Sequence, residues 1–268
     1  MKILKAQVPW KDSFQELVDL WVERGYCESG LSNDHFSWVE KEGNILLYEH
    51  DRAERLPDSW KLALFANAYH DSPTSSRWIY WGRFPRNMEK ALDLYGRAKE
   101  SERDIESLFL GKIENPIQFV NRKKYDWSNS VELFSCPTDM GGQNKHPYTS
   151  MEYLQMVSRS KFGLCLAGYG PKCQREIELM SFGTVPIVTE GVCTQYFDPL
   201  MEGIHYLKAD TPDQVQTVIK SCPRTKWKNM SENCIRWYER NCSIRGSFNT
   251  TVGIIYAKGF SSYCQLPE

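Results

Sequence analysis

Long hydrophobic runs are absent from this 268-residue sequence: nowhere do about 18 apolar residues follow one another, as a bilayer-spanning helix requires. The opening residues, MKILKAQVPWKDSF, lack the apolar centre of a secretory leader. Charge of one sign is missing as well. With 33 basic and 34 acidic residues, no overall field draws the chain to nucleic acid or to an anionic membrane, so an anionic ligand must be met by local groups. Paired cysteines are absent too: the nine are odd in number, none form a CxxC, and Cys222, Cys234 and Cys242 lie 12 and 8 apart, off any zinc pattern. These absences predict a soluble, cytoplasmic chain with free thiols, no nucleic-acid partner and no membrane span.

What is present is an alternation of short apolar strands and helices of about ten residues. From about Asp104 onward, SLFLG, VELFSCP, KFGLCLAG, TVPIVTEG and HYLKA read as strands. Between and after them, PIQFVNRKK reads as a helix start, and SMEYLQMVSRS, KCQREIELMSF and PDQVQTVIKSC as helices. Apolar strands separated by helices mean a parallel sheet covered on both faces. The first hundred residues are less regular. ILKAQV, NILLYEHD and LALFAN look like strands and FQELVDLWVERG like an amphipathic helix, which together make a smaller α/β domain. A charged helix, NMEKALDLYGRAKESERDIE, joins the halves. The expected division is residues 1–103, residues 104–250, and a C-terminal segment, residues 251–268, crossing back to the first lobe.

One stretch carries chemistry in its pattern: GYGPKCQREIELMSFGTVPIV, Gly168 to Val188. Ligands of open parallel sheets bind beyond the carboxyl ends of the strands, where loops and helix starts converge. Gly168 and Gly170 allow close backbone approach, and a helix starting near Pro171 offers unpaired N–H groups to a phosphate. Arg175 and Glu178, three apart, share a helix face and suit a diphosphate and a sugar diol. The plain alternative is a surface ion pair worth about 0.2–0.5 kcal/mol.

The block SKFGLCLAGYGPKCQREIELMSFGTVPIV resembles the diagnostic segment of the exostosin-like glycosyltransferases through Ser160, Lys161, Phe162, Gly168, Arg175, Glu178, Gly183, Val185 and Pro186. SGLSNDHFSW, LLYEHD, WIYWGRFPR and LFLGKIENPIQFVNR are similar to further blocks of that family, in the same order, so that the resemblance spans about residues 29 to 245. Ala167, Cys173 and Thr184 depart from it, standing where arginine, serine and cysteine are usual. The chain is similar to the compact, soluble members encoded by large DNA viruses. The resemblance implies an α/β fold of the GT-B type, with two Rossmann-like lobes, parallel sheets and a cleft between them. It also implies an inverting transferase that moves a sugar from a UDP-sugar, xylose first among the candidates, to a glycan acceptor. Arg122, Gly168, Tyr169, Gly170, Arg175 and Glu178 are the donor-binding residues on this view; Asp34, His35 and Asp71 are the candidate bases. UDP-sugar is a co-substrate, and neither cofactor nor metal is expected.

Two other classes fit parts of the sequence. ILLYEHD, ending in Glu49-x-Asp51, resembles the acidic metal motif of GT-A transferases, whose carboxylates bind a divalent ion under the diphosphate. Nine tryptophans and fourteen tyrosines suit a glycan-binding module without catalysis. The base is the sharpest point of test. One of Asp34→Asn, His35→Ala or Asp71→Asn is expected to lower transfer by roughly 10²–10⁴ with UDP-sugar binding and melting temperature near wild type. If all three variants keep a tenth of wild-type turnover, the base lies elsewhere.

Overall fold

The structure is a computed structural model that describes residues 2–5, 13–26, 28–29, 45–48, 63–65, 78–80, 94, 103–111, 113, 122, 124–135, 148–167 and 175–257. The chain divides into two units: Met1–Arg86 with Gln195–Pro199 and Glu239–Glu268, and Asn87–Thr194 with Leu200–Tyr238. Each holds one five-stranded sheet, and every described strand pairing is parallel. The protein is therefore α/β with parallel sheets, as the alternating pattern predicts.

The first sheet is built from β1 (Lys2–Lys5), β2 (Glu28–Ser29), β3 (Ile45–Tyr48), β4 (Ala63–Phe65) and β5 (Trp78–Tyr80), in the order β2-β1-β3-β4-β5. Helix α1 (Ser13–Glu23) lies between β1 and β2 in sequence. Its Leu17 and Trp21 are fully buried, four residues apart on one face. Trp21 is tied to the far end of the chain: its indole N–H donates to the Ile244 carbonyl at 2.9 Å, and its ring meets Phe248 edge-on at 5.6 Å. Phe248 also stacks on Tyr26 at 5.2 Å. The helix that carries Phe248, α6 (Ile244–Ala257), follows α5 (Arg224–Asn241) so closely that a Cβ on Gly246 would overlap the Glu239 carbonyl.

In the second unit, β6 (Ile105–Leu110), β7 (Leu133–Ser135), β8 (Ser160–Cys165), β9 (Val185–Val188) and β10 (Leu207–Lys208) are ordered β7-β6-β8-β9-β10. Read by rank in sequence, this is the 2-1-3-4-5 order of the first sheet again. The helices α2 (Ser150–Ser158), α3 (Arg175–Ser181) and α4 (Pro212–Lys220) fall where the sequence predicts them. Thr149 starts α2 with a capping box, its hydroxyl accepting from the Glu152 N–H while the Glu152 carboxylate accepts from the Thr149 N–H. Pro212 opens α4 behind its Thr211 cap. Gly183 ends α3 at φ +70°, a left-handed turn that lets the chain enter β9 directly.

One sequence expectation is corrected here. The charged helix was drawn through Glu106, but Ile105 and Glu106 already belong to β6, where Ile105 pairs with Ser160. Of the rest of that segment only Leu94, Arg103 and Asp104 are described, and Leu94 is helical. Of the expected helix from Pro116 only Arg122, which is helical, and Lys124 are described.

Arg103 anchors the chain just before this strand. Its guanidinium donates to the Ser160 carbonyl at 2.8 Å, to the Thr184 hydroxyl at 3.0 Å and to the Phe182 carbonyl. Thr184 in turn donates to the Val157 carbonyl at 2.6 Å. One cation thus joins the start of β8, the end of α3 and the start of β9 through charge-assisted hydrogen bonds. Burial pulls the Arg103 pKa down to about 10 and pushes the thiol of nearby Cys234 well up. The five described cysteines, Cys165, Cys193, Cys222, Cys234 and Cys242, are free thiols.

Helix α3 packs closely on β8. A Cβ at Gly163 would overlap the Leu179 side chain, and Leu179 is itself fully buried. Gly163→Ala is expected to cost about 1–3 kcal/mol through overpacking, read as a lower midpoint in urea unfolding.

Candidate functional site

Strand order locates the site before any side chain does. After β6 the chain goes outward to β7, while after β8 it goes the other way to β9, so neighbours β6 and β8 flank the point where the order reverses. Ligands of such sheets sit beyond the carboxyl ends at that point. Gly111 follows the end of β6, and Leu166 and Ala167 follow the end of β8.

Two arginines converge there. Arg175, the first residue of α3, places its guanidinium carbon 4.8 Å from the centre of the Phe109 ring. The place it occupies exists because Gly111 has no side chain: a Cβ there would lie 2.5 Å from Arg175 Nη2. Gly111 is held in turn by its N–H bond to the Ser135 carbonyl at 3.1 Å. Arg122 approaches as well, its guanidinium carbon 5.9 Å from the centre of the same ring. Arg122 is only 7 % exposed and spends two donors on strand-end carbonyls, Nε on Ala167 at 2.6 Å and Nη2 on Leu166 at 2.8 Å. Phe109 is braced by stacking on Phe134 at 5.4 Å.

A carboxylate completes the cluster. Glu178, one turn along α3 from Arg175, accepts a 2.9 Å hydrogen bond from the hydroxyl of Tyr153 on α2. Burial, and then the Glu178 charge, hold the Tyr153 phenol far above the usual range for tyrosine, while Arg175 acts in the opposite direction. Tyr153 therefore lies within the field of both Glu178 and Arg175.

Beside the cluster, the carboxyl ends of β8, β9 and β10 form a shallow depression lined by Ala167, Thr189, Glu190 and Asp210, with Arg122 and Lys124 at its side. Lys124 pairs with Glu190 at 3.5 Å, an exposed contact of little stabilising value. Thr189 is turned inward, its hydroxyl donating to the Cys165 carbonyl at 2.9 Å.

Of the residues expected from sequence, the structure brings together Arg122, Arg175 and Glu178. Asp34, His35 and Asp71 lie outside the described residues, as do Gly168, Tyr169, Gly170, Cys173, Glu49 and Asp51. Thr184, one of the departures from the family pattern, serves the Arg103 brace. Sequence reasoning missed Phe109, Gly111, Tyr153 and Arg103. The first two stood in view as the end of SLFLG, since a glycine directly after an apolar strand marks close approach by another group. Tyr153 had no local signal, being one aromatic on an amphipathic helix. His205, the histidine nearest Cys222 and Cys234, is buried, with Nδ1 accepting the Met201 N–H at 3.0 Å. Among the described residues, no three His, Cys, Asp or Glu side chains gather as metal ligands. No described helix is long and apolar enough to cross a membrane.

No family model matches the chain. No curated protein matches it. Among solved structures it is similar to a glycosyltransferase from Rickettsia africae ESF-5, with a TM-score of 0.49 and 8 % identity over 96 % of this chain and 97 % of that one. It is also similar to Anabaena Alr3699/HepE, solved in complex with UDP-glucose, with a TM-score of 0.47 and 9 % identity over 98 % and 100 % of the two chains. Likeness at this level fixes neither family nor chemistry.

Gly111→Ala tests the cluster without touching a charge. The added methyl meets the far end of a flexible side chain, so the fold should tolerate it while Arg175 is displaced. The expected outcome is about tenfold weaker binding of UDP, the ligand the resemblance implies, by calorimetry, with melting temperature little changed.

Proposed function

We propose that the protein is a glycosyltransferase of the GT-B type, which takes a sugar from a UDP-sugar and inverts the anomeric centre as it passes to a glycan hydroxyl. The observation that carries this reading is the convergence of Arg122 and Arg175 on Phe109 at the carboxyl edge of the second sheet, where the strand order reverses. Two cations on an aromatic floor, with a carboxylate one turn away, match a diphosphate followed by a ribose. The family blocks around Gly168, Tyr169, Gly170, Arg175 and Glu178 support the same assignment.

In this reading the second unit holds the nucleotide sugar and the first provides for the acceptor. The acceptor oxygen attacks the anomeric carbon as the bond to the diphosphate oxygen breaks, and the leaving electron pair stays on UDP. Arg175 meets the growing negative charge. Arg122 acts chiefly by fixing the Leu166–Ala167 turn that leads into Gly168, because two of its donors are held by those carbonyls. The acceptor proton goes to a base from the first unit, with the Asp34–His35 pair preferred to Asp71. UDP-xylose is the first donor to try, followed by the glucuronic acid, galactose, arabinose and N-acetylglucosamine donors. Charge on the leaving group is handled by arginine, so divalent metal is dispensable on this account.

Calorimetry with UDP gives the test. Arg175→Ala should weaken binding by roughly 1.5–3 kcal/mol, and Glu178→Gln by less, in folded protein and in the presence of EDTA. Wild-type affinity in Arg175→Ala would sink the donor site, and strict dependence of transfer on Mn²⁺ would favour the Glu49-x-Asp51 alternative.

A further inference from the structure

Tyr153 lies near the start of α2 directly behind the Thr149–Glu152 capping box, and its N–H bonds to the Thr149 carbonyl at 3.0 Å. The cap therefore sets the position of the first turn from which the phenol reaches across to α3. Tyr153 is half-buried, and a phenol drawn out of water takes a hydrogen-bond partner, most often a backbone carbonyl. This hydroxyl instead donates to Oε2 of Glu178, the acidic side chain that shares a helix face with Arg175.

A glutamate has three rotatable bonds, and ordering them when a ligand arrives works against binding. A donor already in place removes that cost and aims the carboxylate. The phenol is suited to the task because burial and the neighbouring carboxylate keep it protonated, so it remains a donor at any working pH.

The geometry points to Tyr153 as a positioning residue that orients the Glu178 carboxylate for the vicinal hydroxyls of a ribose, and thereby makes the site select ribonucleotides. This rests on the nucleotide-sugar reading above. A carboxylate fixed to accept two hydroxyls rejects a sugar that lacks them, since its desolvated oxygens then go unmet. The consequence is specificity within the sugar of the nucleotide, separate from the affinity for diphosphate that Arg175 supplies.

The experiment uses the full chain and two probes, UDP and 2′,3′-dideoxy-UDP, with affinities from calorimetry and melting temperatures alongside. Wild type should bind UDP at least about tenfold more tightly than the dideoxy compound. Tyr153→Phe, which keeps the ring and removes the donor, should lose most of that preference through weaker UDP binding, with dideoxy-UDP affinity unchanged. Arg175→Ala should weaken both nucleotides together and keep their ratio. A brace that merely ties α2 to α3 would lower the melting temperature and leave the ratio intact. An intact ratio in Tyr153→Phe overturns the proposal while the nucleotide site still stands. So does wild-type binding of UDP with no preference over the dideoxy probe. Binding of neither probe by wild type overturns the nucleotide reading itself, and the proposal with it. If Tyr153→Phe melts too low to titrate at room temperature, the two titrations are run in the cold on wild type and variant together, and the same change of ratio is expected.

Discussion

Position 163 has no room for a side chain because α3 lies directly on β8, with Leu179 against the strand backbone, and much of the second unit follows from that closeness. A helix held so near the sheet delivers its first residue to the carboxyl edge, which is where Arg175 meets Phe109 and the space left by Gly111. Its next turn brings Glu178 within reach of Tyr153. The far end of the same helix is fixed by Arg103, which binds the Phe182 carbonyl and the Thr184 hydroxyl just past the last turn. A short helix of seven residues has little stability of its own, so its placement depends on these contacts at both ends.

The arginines of the unit divide their labour by what their donors meet. Arg103 is a structural cation, surrounded by carbonyls and a hydroxyl and buried enough that its pKa falls. Arg122 is intermediate: its guanidinium approaches the Phe109 ring, yet its donors hold the turn after β8. Arg175 lies closer to the ring and owes its position to a missing side chain. Stacking a guanidinium on an aromatic face lowers its cost of leaving water, and the N–H fork in its plane matches the oxygens of a phosphate as well as those of a carboxylate.

Much of the fold was legible because parallel sheets impose simple rules. Apolar strands such as KFGLC and VPIV, separated by helices of about ten residues, leave few topologies. Arg175 and Glu178 were legible as a pair because three-residue spacing on a helix is itself a geometric statement. Contacts across the chain were less so. The interaction of Tyr153 with Glu178 spans 25 residues, and that of Arg103 with Ser160 spans 57, without any periodic signal. The charged run before β6 misled for a physical reason: charged residues are good helix formers, but pairing with β8 and the Arg103 hydrogen bonds outweigh local propensity.

The tie between Trp21 and the Ile244–Phe248 turn has a consequence for biosynthesis. An N-terminal unit usually completes itself while the remainder of the chain is still being made. Here the first unit takes in Glu239–Glu268, and the carbonyl and ring that α6 offers Trp21 are made some 223 residues after Trp21 itself. The second unit, drawn from Asn87–Thr194 and Leu200–Tyr238, has all its residues sooner. The unit begun first is therefore the one whose residues are all present last.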